Sequence, residues 1–169
     1  MLVQQNVDGS NFFNRSWEEF KVGFNNSKGN YWLGNELLHQ LTDQNTYKLR
    51  IDLKARNQSW YYAEYRTFLV YSEAFNYKIV LDGFSGNTGA AGNAFNYQNN
   101  MMFTTYDRDN DLFNGSVYKN NCAVYKGGGF WYRDCAWASL NGHRAESRFY
   151  WGRSGIGFSL ELSRMWLTC

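Results

Sequence analysis

The sequence predicts an α+β fold in which a central antiparallel sheet with short helices carries a loop-rich, disulfide-closed C-terminal part. Three observations support this prediction. Strand-like runs follow two short helical segments, the chain from residue 82 onward is largely irregular until a last strand, and a pair of cysteines lies in that irregular part. With 169 residues, the chain has the length of one domain that buries a full core.

Two short helices are predicted near the start of the chain. Ser16 and Glu19 have the spacing of a capping box, which predicts a helix from Trp17 through about Phe24. The apolar residues of this segment recur at helical spacing and are expected to face the core. Asn35 is the predicted N-cap of a second helix, which contains the sequence ELLHQL.

Four strands are predicted, and they suit an antiparallel arrangement. Apolar and charged residues alternate over 47–54, which indicates a strand with one solvent-exposed face. Further β-rich runs lie at 60–70, 77–81 and 157–166. Residues 82–100 are mostly Gly, Asn, Ser and Ala, and we expect them to bury too little apolar surface to become ordered.

Composition and charge argue against two classes of protein. The net charge is +2 and no run of Lys or Arg occurs, so no nucleic-acid partner is expected. No apolar stretch approaches the length of a membrane span, and the start MLVQQNVDGS lacks the apolar region of a signal peptide. Seven Trp, thirteen Tyr and thirteen Phe exceed ordinary core needs and suggest a recognition surface, with an aromatic-rich core as the alternative.

Cys122 and Cys135 are predicted to form a disulfide. They are thirteen positions apart, and neither His39 nor His143 lies at the spacing of a zinc site. Such a bridge contributes roughly 3 kcal/mol and indicates an oxidising compartment. Cys169 is left over, as a free thiol or as a link to another chain. Glycosylation sequons begin at Asn14, Asn25, Asn57 and Asn114.

Three aspartates, Asp107, Asp109 and Asp111, alternate along the segment YDRDND. Alternate spacing turns carboxylates toward one side of the chain, and with backbone carbonyls they suit calcium, which accepts six to eight oxygen ligands. The segment is not an EF-hand, because the required Gly and Glu are missing in either register. The alternative is a solvated acidic turn in which Arg108 supplies the counter-charge.

Several stretches resemble the fibrinogen-related domain, the C-terminal globular module of fibrinogen chains, ficolins, tachylectins and angiopoietins. They are VDGSNFFNRSWEEFKVGF, YWLGNELLHQLT, YKLRIDL, YDRDNDLFNG with NCAVYKGGGFWYRDC, and LNG. The resemblance implies a sheet with short helices over about 1–95, and a calcium- and ligand-binding subdomain plus the final strand over about 96–169. The family's N-terminal subdomain is expected to be missing from this chain.

The resemblance also implies the site residues. The calcium ligands would be the side chains of Asp109 and Asp111 and the backbone carbonyls of Phe113 and Gly115, with Asp107 behind them. The ligand pocket would lie beside the disulfide, where a cis peptide bond before Cys135 turns backbone N–H groups toward a ligand carbonyl. The pocket residues expected by position are Tyr125, Lys126, Asp134, Cys135, Ala136, Phe149 and Tyr150.

This chain departs from the family pattern around the pocket. The stretch SVYKN over 116–120 is additional, and the segment 142–151 is shorter than in the sugar-binding members. Ala136 stands where the family usually has His, and Lys126 stands where acetyl-binding members commonly have an aromatic residue. Tyr118 adds a ring beside the pocket. Arg144 and Arg148 also add positive charge.

The expected function is that of a secreted, calcium-dependent recognition module. It would bind glycans or bacterial cell-wall polymers in innate-immune pattern recognition. Lys119, Lys126 and Arg133 favour anionic sugars beside N-acetylated ones. Several copies would strengthen binding, so a homo-oligomer fits. The alternative is a protein-binding module, a receptor ligand or a domain that captures peptide termini. No enzyme is expected, because His39 and His143 have no catalytic partner in motif form.

Overall fold

The computed structural model describes all residues from 1 to 169. Its three α-helices are Trp17–Val22 (α1), Asn35–Gln44 (α2) and Cys122–Lys126 (α3). Its strands are Leu2–Asn6 (β1), Phe24–Asn25 (β2), Tyr31–Trp32 (β3), Tyr47–Ala55 (β4), Trp60–Val70 (β5), Ile79–Gly86 (β6), Phe103–Thr104 (β7), Phe130–Trp131 (β8), Ala138–Ser139 (β9), Tyr150–Trp151 (β10) and Phe158–Thr168 (β11).

Nine strands form one antiparallel sheet. Its main path runs β2-β3-β1-β11-β4-β5-β6, and β9 and β10 attach beside the start of β11. The last strand therefore lies in the middle of the sheet, paired with β1 on one side and β4 on the other. The two chain ends meet there, where the Met1 ammonium donates to the Leu167 carbonyl at 2.7 Å. The predicted central antiparallel sheet with short helices is confirmed.

The four predicted strands are present as β4, β5, β6 and β11, with shifted ends. In β4, Leu49 and Ile51 are fully buried. On the opposite face, Arg50 donates to Asp52 at 2.8 Å and to Glu64 on β5 at 3.0 Å. This alternation makes one face of the sheet part of the core and leaves the other to water, as the sequence predicts.

Strand β1 was not predicted, because two of its inward residues are polar. Gln4 and Asn6 are fully buried. The Gln4 amide donates to the Leu140 carbonyl at 3.1 Å and to the Ser163 hydroxyl at 2.9 Å. Asn6 donates to the same Leu140 carbonyl at 3.0 Å. Buried amides with satisfied partners thus replace the apolar alternation by which a strand is recognised.

Helix α1 has the predicted capping box between Ser16 and Glu19. It ends at Val22 rather than Phe24, because Gly23 has a φ of 94°, a conformation that favours glycine. The prediction that Asn35 caps α2 is wrong. Gly34 is the N-cap, and the Asn35 side chain instead accepts a hydrogen bond from the Trp32 indole at 3.0 Å.

Aromatic rings form a large part of the core. Phe20, Trp32, Phe103 and Trp131 are buried, and their contacting ring centroids lie 5.0 to 5.8 Å apart. The core is one cluster that includes residues from both halves of the chain. The division of the chain near residue 95 therefore stays a prediction.

The expectation that residues 82–100 cannot order themselves is wrong. Phe95 is fully buried and stacks on Phe130 at 5.4 Å. Gln98 is also fully buried; its amide donates to the Trp131 carbonyl at 2.7 Å and accepts from the Ala138 backbone at 2.8 Å. One ring and one amide fasten this otherwise small-residue segment to the core.

Candidate functional site

The Cys122–Cys135 disulfide joins the start of α3 to the segment after β8, as predicted. The two Cα atoms are 5.5 Å apart. Asn121 caps α3 by accepting from the Ala123 backbone at 2.7 Å, and its amide donates to the Thr105 carbonyl at 3.0 Å. The capped turn holds the following residues of α3 beside the bridge. Cys169 is free and exposed.

Asp109 and Asp111 lie in the loop between β7 and α3 without a cationic partner. Asp111 accepts from the backbone N–H of Phe113 at 2.9 Å and of Cys122 at 2.8 Å. Burial, together with the Asp109 carboxylate, raises the pKa of Asp111 to about 6. Neither aspartate forms a salt bridge. Keeping the Asp111 carboxylate ionised beside Asp109 therefore costs free energy unless a cation joins them.

The same loop offers main-chain oxygens. The carbonyls of Phe113 and Gly115 accept no hydrogen bond from the protein. No group of three or more His, Cys, Asp and Glu side chains is placed to hold a metal, so a donor set here has only two carboxylates and depends on the main chain. Two carboxylates and two free carbonyls suit a hard cation such as calcium, which completes its coordination with water.

Arg108 does not neutralise this pair. Its guanidinium lies 4.0 Å from the Trp17 ring centroid, donates to Asn76 at 2.7 Å and pairs with Glu73 at 3.7 Å. Among its salt bridges, none involves the aspartates of the loop. The alternative in which Arg108 serves as counter-charge of a solvated acidic turn is therefore wrong.

Asp107 has a structural role that the sequence did not reveal. Its carboxylate accepts from the Trp17 backbone N–H at 3.0 Å and from the Thr105 hydroxyl at 2.7 Å. Trp17 is the first residue of α1, whose N–H groups have no partner within the helix. Asp107 thus fastens the acidic loop to the N-terminus of α1.

A cleft of about 630 Å³ opens beside the disulfide. Six of the seven residues expected in the ligand pocket line it: Tyr125, Lys126, Asp134, Cys135, Ala136 and Tyr150. The expected cis peptide bond before Cys135 is wrong, because the chain contains no cis bond. The backbone N–H groups of Cys135 and Ala136 nevertheless donate no hydrogen bond to the protein, which leaves two donors at the cleft.

Lys126 occupies the floor of this cleft. Its side chain donates to the Tyr150 hydroxyl at 2.7 Å, and that hydroxyl donates to the Ala136 carbonyl at 2.8 Å. Burial and the nearby Arg148 lower the pKa of Lys126 to about 8. Lys126 therefore lies within a wall of rings and keeps most of its charge at neutral pH.

Residues 116–120 form a rim next to the cleft. The Tyr118 ring lies 4.6 Å from the Tyr125 ring. Arg148 covers both, at 5.3 Å and 4.7 Å from their centroids, and it pairs with Glu146. Tyr118 thus extends the aromatic wall through its contact with Tyr125.

Sequence reasoning missed part of the cleft wall. Trp137 stacks on Tyr97 at 4.4 Å with an interplanar angle of 9°. Arg153 lies 5.8 Å from the Trp137 centroid, and both line the cleft. Only the surplus of aromatic residues hinted at this platform, because Tyr97 and Trp137 are forty positions apart and lie in no motif that we used.

Several expected contributors lie elsewhere. Phe149 was expected in the pocket, but it is buried in the core and does not line the cleft. The basic residues Lys119 and Arg133 are exposed and outside the cleft lining, so only Lys126 of the three contributes charge there. Arg144 donates to the Glu161 carbonyl on β11 at 2.9 Å and is likewise outside it.

Sheet, disulfide and cleft together define a globe of the fibrinogen type, and comparison with known proteins agrees. The family described as fibrinogen beta and gamma chains, C-terminal globular domain, matches residues 1–166, and the chain belongs to this family. It is 38% identical to human ficolin-3 over 159 residues, which cover 94% of this chain and 51% of ficolin-3.

Two solved structures are similar over nearly the whole chain. The fibrinogen-like globe domain of human ANGPTL2 has a TM-score of 0.85 and 37% identity, over 99% of this chain and 78% of that one. Lamprey fibrin D-dimer, complexed with the peptide ligand Gly-His-Arg-Pro-amide, has a TM-score of 0.82 and 29% identity, over 98% of this chain and 60% of that one.

The chain spans about half the length of ficolin-3 and a quarter of human angiopoietin-related protein 2, of which it covers 26%. None of its helices combines the length and apolar character needed to cross a membrane.

Proposed function

We propose that this domain is a non-enzymatic, secreted recognition module that binds glycans or microbial surface polymers in the cleft beside the disulfide. The observation that carries the proposal is the cleft itself. Its volume of about 630 Å³ is that of a small-ligand site. It combines rings that can stack on sugar faces with unpaired backbone donors at Cys135 and Ala136 that can meet a ligand oxygen.

Calcium is the second part of the proposal. Asp109 and Asp111, with the carbonyls of Phe113 and Gly115, would hold the ion, and the unpartnered carboxylate pair supports this assignment. A bound calcium would supply positive charge that neutralises the pair and fixes the loop. The chain itself connects that loop to the cleft, because Asp111 accepts from the Cys122 backbone and Phe113 lines the cleft wall.

A capture experiment tests both parts. The oxidised domain is incubated with insoluble bacterial peptidoglycan in calcium, with and without EDTA, and released with soluble sugars. We expect capture that sugars compete and that EDTA abolishes. An Asp109→Asn variant should behave like the chelated protein. Capture that is indifferent to EDTA would contradict the calcium part, and the absence of sugar-competed capture would contradict the glycan part.

A protein-binding role is the second candidate. Its support is the similar lamprey fibrin D-dimer, whose structure contains a bound peptide. The departures at Lys126 and Ala136, where acetyl-binding members commonly have an aromatic residue and the family usually has His, also favour it. Short peptides with free termini, tested in the same capture format, distinguish the candidates. Peptide capture that neutral and acidic sugars do not compete would favour this role over glycan binding.

A further inference from the structure

The cleft floor contains a lysine that no acidic group neutralises. Lys126 is 7% exposed and lines the cleft. It forms no salt bridge. Asp134 is the one carboxylate in the cleft lining, and it is exposed at the surface rather than paired with Lys126. A buried ammonium without a counter-ion is unfavourable, so the site is suited to an anion brought by a ligand.

The hydrogen bonds of Lys126 leave donors free. The Tyr150 hydroxyl uses its own proton on the Ala136 carbonyl and accepts one from Lys126. The ammonium has three N–H donors, and this is its one hydrogen bond to the protein. The faces of Tyr125 and Tyr150 flank it at 4.6 Å and 4.8 Å. Two N–H groups of a buried cation therefore lack an acceptor.

The surroundings add donors and positive charge. The backbone N–H groups of Cys135 and Ala136 have no protein acceptor. Arg153 lines the cleft. A neutral acetyl oxygen would satisfy one N–H but would leave the lysine charge uncompensated. A carboxylate accepts several hydrogen bonds and supplies the missing charge at once.

We propose that the cleft selects sugars that carry a carboxylate, of the uronic or sialic acid class, and that Lys126 binds this carboxylate. This inference rests on the proposed function of the cleft as a glycan site. The aromatic wall favours a sugar over a bare anion, since Tyr125, Trp137 and Tyr150 line the cleft and supply apolar ring surface to a pyranose. Lys126 acts as a specificity-determining residue, and the rings supply affinity that is common to neutral and acidic sugars.

The test compares two ligands that differ at one group. Methyl β-glucuronide and methyl β-glucoside share a ring but carry a carboxylate and a hydroxymethyl group. Binding to the calcium-loaded, oxidised domain is followed by chemical-shift titration at pH 7. We expect the glucuronide to bind at least about tenfold more tightly, the ratio typical of a hydrogen bond to a charged group. The lysine side-chain NMR signal of Lys126 should shift only with the glucuronide.

Variants make the test specific. Lys126→Met should reduce the ratio of the two affinities to about one. Lys48→Met removes the same charge from an exposed position on β4, far from the cleft lining, and should leave the ratio unchanged. Equal affinities in the wild type, or a ratio that survives Lys126→Met, would overturn this inference while leaving sugar recognition intact. Failure of both sugars to bind, with or without capture of a peptide carboxylate, would overturn the glycan proposal as well.

Discussion

Replacing the buried lysine should stabilise the folded domain at neutral pH. The pKa of Lys126 falls from an ordinary value of 10.5 to about 8, because burial and Arg148 disfavour the ammonium. At 1.36 kcal/mol per pKa unit, holding the charged form in the fold costs about 3 kcal/mol at pH 7. Lys126→Met also removes the hydrogen bond to Tyr150, a loss of about 1.5 kcal/mol. The net gain in unfolding free energy should be about 1–2 kcal/mol.

The stability advantage of the Met variant should depend on pH, and the lowered pKa of Lys126 sets the direction of that dependence. The unfolded chain holds the lysine proton more tightly than the folded one, so the penalty is nearly complete at pH 7 and declines as pH rises above 8 toward 10.5. By pH 9.5 the advantage of the Met variant should have fallen by about 2 kcal/mol. The groups that face Lys126, which are Tyr125, Tyr150 and Arg148, are the same in both proteins, so the difference in stability reports on Lys126 itself.

Urea unfolding of the oxidised, calcium-loaded wild type and variant at pH 7.0 and 9.5 measures both quantities. Lys48→Met is the matched control, because that lysine is exposed and forms no salt bridge, and its stability difference from the wild type should be small at both pH values. A Lys126→Met protein that is less stable than the wild type at pH 7, or an advantage that stays constant to pH 9.5, would refute the description of Lys126 as a buried cation without a counter-ion.

Three further predictions address the loop, the core and the platform. Asp109→Asn should weaken calcium binding at least tenfold, as measured by calorimetry. Asp107→Asn should leave the calcium affinity unchanged but lower the unfolding free energy by about 1 kcal/mol, because it disturbs the hydrogen bonds at the start of α1. Phe95→Ala should cost about 3–5 kcal/mol in urea unfolding, since its ring is fully buried; a loss below 1 kcal/mol would contradict its anchoring role. Trp137→Ala should reduce the affinity for both test glycosides in the same titration, because that ring lines the cleft; unchanged affinity would exclude it from the proposed sugar site.

The sequence predicted those parts of the fold that follow a local period. The alternation in β4 and the capping box of α1 are short-range patterns, and both are present in the structure. Strand β1 was not predicted, because the hydrogen-bond partners of its buried Gln4 and Asn6 lie more than 130 positions away in the sequence. No local pattern reports such partners. Residues 82–100 were misjudged for the same reason, since Gln98 is held by the backbone of β8 and β9.

The same distinction between local patterns and contacts distant in sequence applies to the site. The disulfide and the residues that flank it were found from cysteine spacing and family motifs, which fix positions along the chain. What each side chain does depends on neighbours that are distant in sequence. Arg108 lies between two aspartates in the sequence and is therefore a predicted counter-charge for them. Its guanidinium instead contacts Trp17 and Glu73. The role of Trp137 in the cleft wall depends on its stacking against Tyr97, which is distant in sequence.

Hydrogen bonds connect the acidic loop to the chain on both sides of the disulfide that borders the cleft. Asp111 accepts from the Cys122 backbone on one side of the disulfide, and the Leu112 N–H donates to the Arg133 carbonyl at 2.9 Å on the other. Two adjacent residues of the loop thus hold both strands of chain that the bridge joins. If calcium orders this loop, it must also favour one shape of the cleft. Calcium then raises the affinity of the cleft for its ligand, and a bound ligand must raise the affinity of the loop for calcium by the same factor. Tighter ligand binding with calcium, without the reciprocal gain for calcium, would therefore require the ion to act at some other place.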